Sequence, residues 1–102
     1  MLILKEIDNL YSEEIVKPII DRCFVSFSSY LLAVEDAVAI LKDHEIACKK
    51  ISVRGSYESV TVSFFLITDS FTANIMKNKY LSLKIKDDSI RCINIEFIDV
   101  II

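Results

Sequence analysis

Glycine and proline are nearly missing from this chain: one of each, Gly55 and Pro18, in 102 residues. These two residues are the cheap sources of tight-turn backbone, so a sandwich or barrel with many tight turns is disfavoured. A few elements, with helices in the connections, fit better. There is no tryptophan and only one histidine, His44. The three cysteines, Cys23, Cys48 and Cys92, are an odd count and form no Cys-x-x-Cys pair. They imply neither a disulfide framework nor a zinc site, and reduced thiols in a cytoplasmic protein are the expectation. No metal and no cofactor follow from these residues. No apolar run reaches the ~18 residues that cross a bilayer. The opening Met1-Leu2-Ile3-Leu4-Lys5-Glu6-Ile7 is too short an apolar stretch for a signal peptide and meets acidic residues at once. A cytoplasmic location without a membrane partner is expected. Positive charge is also short: 12 Lys+Arg against 15 Asp+Glu give −3. That balance argues against nucleic acid and anionic membranes as partners.

What is present is apolar. Hydrophobic residues make up 53% of the chain, which excludes intrinsic disorder and suits one domain with a sizeable core. Residues 1–17 alternate weakly, and Leu10, Glu13, Glu14, Ile15 and Lys17 predict a short helix ending before Pro18. Residues 19–27 predict a strand, with Cys23, Val25 and Phe27 on one face. Ser28 and Ser29 offer a cap to a helix over 30–44, whose Leu31, Val34, Val38 and Leu41 recur at helical spacing. Residues 46–53 predict a second strand. Around Gly55 a turn is expected, because glycine takes a positive φ without steric cost. It leads into a strand over 59–67, with Val60, Val62, Phe64 and Leu66 on one face and Ser59, Thr61 and Ser63 on the other. Thr68, Asp69 and Ser70 cap a second helix with Phe71, Ile75, Met76, Tyr80 and Leu83 inward. Asp87-Asp88-Ser89 is a turn, and a last strand starts near Ile90. The order is β-α-β-β-α-β. The expectation is an α+β two-layer sandwich, with two helices on one face of a four-stranded antiparallel sheet.

The run Ser52-x-x-Gly55-x-Tyr57-x-Ser59-Val60-Thr61-Val62 resembles the central signature of the YbeD-like family, small bacterial proteins of unknown function. Tyr80-x-x-Leu83-Lys84, followed by a polar turn and Ile90-Arg91-Cys92-Ile93, is similar to that family's helix end and final strand, with about one inserted residue. The match covers residues 18–93, with Pro18 ahead of the first strand. It implies a ferredoxin-like, ACT-like fold and a regulatory or small-molecule-sensing role, by analogy with ACT domains on metabolic enzymes. The chain departs from the family in the apolar segment Asn94 to Ile102 and in the stretch before Pro18. The domain is therefore expected over 18–102, with 1–17 as an N-terminal extension.

Candidate sites follow. Ser52, Arg54, Gly55, Tyr57 and Ser59 could contact a ligand or partner, with a plain structural turn as the alternative. Ser28-Ser29 at the helix start reads either as a cap or as a loop receiving a carboxylate. An RRM-like use of the open sheet face is weakened by the scarcity of basic residues beside Ser59, Thr61 and Ser63. His44 has no evident Ser or Cys partner, and the carboxylate pairs Glu35/Asp36 and Asp87/Asp88 read as solvated, so catalysis is not expected. The apolar Ile95, Phe97, Ile98 and Val100 are a candidate oligomer interface. This strand must pair either with residues 2–7 of its own chain or across a two-fold axis. The expected function is a non-enzymatic binding or regulatory module with a homodimeric or other protein partner. Its alternative is an ACT-like domain sensing a small-molecule effector.

Overall fold

The computed structural model describes residues 4–85 and 92–100, with the side chains of 7–83 and 92–100. The expected turn at 87–89 and the strand start at Ile90 lie outside them. Three helices come first: α1 (Leu4–Leu10), α2 (Glu13–Arg22) and α3 (Phe27–Asp43). A hairpin of β1 (Cys48–Ser56) and β2 (Ser59–Leu66) follows, then α4 (Ser70–Ile85) and β3 (Ile93–Asp99). The architecture is α+β.

The expected strand over 19–27 does not form. Ser12 caps α2, its hydroxyl accepting from the Ile15 N–H at 3.4 Å, and Glu13 and Glu14 sit in the first turn where the helix dipole favours them. Val16, Ile20 and Cys23 recur at helical spacing and are buried. That stripe carries the helix through Pro18, which stays exposed. The helix ends where Phe24 turns left-handed at φ 57 and the Val25 N–H returns to the Ile20 carbonyl. Ser26, rather than Ser28 or Ser29, then caps α3, accepting from the Ser29 N–H at 3.2 Å. Cys23 and Val25 are buried as their apolar character demands, but at a helix end and not in a sheet.

The loss of that strand changes the sheet. Among the described residues it has three strands in the order β1-β2-β3, not four. β1 and β2 are antiparallel, with Val53 opposite Val62 and Ser56 opposite Ser59. β2 and β3 are parallel, with Val62 beside Ile95 and Phe64 beside Phe97, so the sheet is mixed. With no strand to insert between them, β2 and β3 pair directly, and α4 supplies the crossover a parallel pair requires. Pairing of the last strand with residues 2–7 is also ruled out for Leu4 to Ile7, which lie in α1.

All helices cover one face. α1 and α2 pack on β1, α3 and α4 pack together, and both of these reach β3. The core joins Val60, Val62, Phe64 and Leu66 of β2 to Tyr30, Val34, Ala37 and Leu41 of α3 and to Met76 and Tyr80 of α4. Leu10 and Val16 belong to the same core. On α4 the inward stripe is Ala73, Met76 and Tyr80, whereas Phe71 is 73% exposed and Leu83 is also exposed. Asp69 caps α4 as expected: its Oδ1 accepts from the Thr72 N–H at 2.7 Å, and that bond holds the carboxyl below its ordinary pKa.

One core group is out of balance. Tyr30 is fully buried and its hydroxyl has no hydrogen-bond partner among the described residues. Burial, and secondarily Tyr11 beside it, push the phenol well above its ordinary pKa. An orphaned buried hydroxyl costs free energy, so Tyr30→Phe should raise stability by about 1 kcal/mol in urea unfolding. A raised phenol pKa stabilises the fold only below the unfolded value of about 10. Stability should therefore fall as pH rises past that value, and Tyr30→Phe should flatten the fall.

Candidate functional site

Three regions bring the chemistry-bearing residues together: the uncovered sheet face, the hairpin tip and the outer edge of β3. On the uncovered face, β1 presents Lys50, Ser52 and Arg54, β2 presents Ser59, Thr61, Ser63 and Phe65, and β3 presents Asn94, Glu96 and Ile98. A bulge between Cys48 and Lys50 lets Cys48 point inward while Lys50 points out. The Arg54 Nη2 donates to Glu96 Oε1 at 2.9 Å, and the Ser63 hydroxyl donates to the same oxygen at 2.9 Å. Ser63 is nearly inaccessible beneath this pair. The Lys50 ammonium lies 5.8 Å from the Phe65 ring centroid. The Arg54 guanidinium, a candidate ligand or partner contact, ties β1 to β3 across β2. Glu96 and Ser63 are parts of this cluster that sequence reasoning missed. They become neighbours only once the β2–β3 register is set.

At the hairpin tip the Gly55 expectation is corrected. Gly55 lies within β1, opposite Val60, and it is not at a positive φ. Its Cβ direction points at α2, where an added methyl would sit 2.7 Å from Cys23 Sγ and 3.1 Å from Ile19 Cγ2. Glycine stands here because helix and strand approach too closely for a side chain. The loop itself is Tyr57-Glu58, and Tyr57 takes the left-handed φ of 47. Tyr57 is 94% exposed and Phe24 is 90% exposed. Tyr57 lines a depression of about 200 Å³ with Arg22, Cys23 and Gly55. Ser59 starts β2 on the open face, its hydroxyl donating to the Ser56 carbonyl at 3.2 Å. A second cleft of about 240 Å³ separates α1 and α2 from β1, walled by Leu10, Ile15, Val16, Ile19, Ile51 and Val53.

At the β3 edge the four expected interface residues divide. Phe97 is only 8% exposed; its ring stacks on Phe64 at 5.7 Å and meets Tyr80 edge-on at 6.2 Å. Ile95 is half-buried against the core, and Ile98 and Val100 are half-buried.

His44 caps α3 and reaches α4. Its Nδ1 lies 3.0 Å from the Ile40 carbonyl, which can only accept, and its Nε2 lies 2.7 Å from the Lys79 ammonium, which can only donate. The ring therefore carries its proton on Nδ1 and clamps the two helices. Among the described residues no group of three or more His, Cys, Asp or Glu could hold a metal ion, and no single helix is long and apolar enough to cross a membrane. No family model, curated protein or solved structure matches the chain.

Proposed function

We propose that this protein is a non-enzymatic binding module that acts through protein–protein contacts, first of all with a second copy of itself. The observation that carries the reading is the edge of β3. The Cys92 carbonyl accepts from the Val60 N–H, and the Val100 N–H donates to the Leu66 carbonyl. Backbone groups alternate sides along a strand, so residues 92, 94, 96, 98 and 100 serve β2. The N–H and C=O groups of Ile93, Ile95, Phe97 and Asp99 then point away from the sheet. No further strand covers them among the described residues. A seven-residue edge without lysine, proline or bulge is a template for another strand.

The resemblance of the Gly55 hairpin to the YbeD-like family supports a regulatory use of such contacts. The ferredoxin-like plan is retained in this reading only as β1, β2, α4 and β3; α2 takes the first strand's position in chain order but packs on β1 outside the sheet. Light scattering tests the proposal. The wild type should be a dimer, and Ile95→Pro should be a folded monomer, because its lost N–H serves only the outer edge. Asp99→Pro, at the strand end, removes another outward donor with less effect on packing. A wild type that stays monomeric at its highest soluble concentration would overturn the reading.

A second reading, a small-molecule-sensing domain, is favoured by the hairpin-tip depression, where Arg22 and the exposed Tyr57 face one space. Thermal shifts across amino acids and related metabolites check it: a shift abolished by Tyr57→Ala supports sensing, and none across the set counts against it.

A further inference from the structure

The geometry points to one register for self-pairing at this edge: antiparallel β3 strands of two copies, crossing at Ile95. This rests on the edge reading above. A two-fold axis perpendicular to the sheet keeps each side chain on its own face, so one residue must pair with itself. The central choices are Ile95, Glu96 and Phe97. Crossing at Glu96 sets two carboxylates opposite each other at a Cα separation of about 4.5 Å, and like charges directly opposite destabilise a sheet. Crossing at Phe97 sets Glu96 against the partner's Ile98 and Ile95 against the partner's Asp99, facing charge with apolar surface.

Crossing at Ile95 removes both conflicts. Ile95 exchanges both backbone hydrogen bonds with its own copy, and Ile93 faces the partner's Phe97. On the open face Asn94 faces the partner's Glu96, and the pair occurs twice by symmetry. Arg54 and Ser63 already hold Glu96 Oε1, which fixes the carboxylate and leaves Oε2 for another donor. Asn94 is exposed, and its amide supplies that donor. The product is a six-stranded sheet, β1-β2-β3-β3-β2-β1, with the helices of both copies on one face.

Even-numbered residues of β3 would form the non-hydrogen-bonded pairs of the new ladder, the closer spacing, which suits a disulfide. The test uses the full chain with Cys92→Ser to remove the exposed thiol. Asn94→Cys and Glu96→Cys chains are mixed and oxidised mildly. The expected result is a cross-link between the two kinds of chain and none within either kind. Cross-linking of Glu96→Cys with itself, or a dimer by light scattering without the mixed cross-link, overturns this register while leaving the edge dimer standing. A monomer overturns both. In a cysteine-independent measurement, Asn94→Asp should weaken the dimer about tenfold, with added salt reversing part of the loss. An unchanged dissociation constant for a folded Asn94→Asp protein also overturns it.

Discussion

Phe97→Ala is expected to lower stability by about 3–5 kcal/mol in urea unfolding, the usual cost of a buried aromatic truncated in a packed core. The ring lies between Phe64 of β2 and Tyr80 of α4, so it joins the parallel strand pair to the crossover helix that makes that pairing possible. Removing it opens a cavity at the junction of three elements. The loss is a large share of the roughly 5–15 kcal/mol that holds a domain of this kind together. Phe97→Leu should recover about half, because it refills volume without the ring contacts. The same packing explains why cutting the chain at residue 97 is a poor test of dimerisation: it removes a core residue along with the edge. A loss under about 1 kcal/mol for Phe97→Ala would mean that the side chain is not seated in the core, and it would return the ring to the interface.

Local pattern was legible where one face of one element decides. The alternation of Val60, Val62, Phe64 and Leu66 with Ser59, Thr61 and Ser63 placed β2 and its inner face. The spacing of Val34, Val38 and Leu41 placed α3, and Asp69 marked the start of α4. Reading failed where two periods competed. Cys23-Phe24-Val25-Ser26-Phe27 has strand composition, yet Val16, Ile20 and Cys23 form a helical stripe that runs past Pro18. A proline on an exposed face leaves such a stripe intact, and the stripe prevailed. Phe71 was placed inward by spacing from Ile75. Five residues of helix put it some 140° from Met76, which sets the true inner line. The Arg54–Ser63–Glu96 cluster was not legible, because it joins three strands through a register that follows from the missing first strand. Phe97 and Ile95 could be recognised as strand residues, but only the β2 pairing shows which backbone groups are left over.

Gly55→Ala is expected to cost about 1–3 kcal/mol, although the residue lies on an edge strand and needs no special backbone angle. The new methyl meets Cys23 Sγ at 2.7 Å, and the β-branched Ile19 at 3.1 Å limits how far it can shift. Cys23 is buried, so its sulfur has little room to swing aside. Cys23→Ala alone should cost about 1 kcal/mol for the lost buried sulfur. The double variant should be less destabilised than the sum, with a coupling of about 1 kcal/mol, because the methyl then occupies the space the sulfur vacated. Tyr57→Gly is the contrasting substitution. It removes a side chain from a left-handed position where a β-carbon costs about 1 kcal/mol, so it should leave stability unchanged or raise it. The chain has a single glycine and places it where α2 touches β1, while Phe24, Glu45 and Tyr57 take the left-handed positions that glycine usually fills. If Gly55→Ala is neutral, or if the cycle with Cys23→Ala shows no coupling, close helix–strand approach is not what requires the glycine.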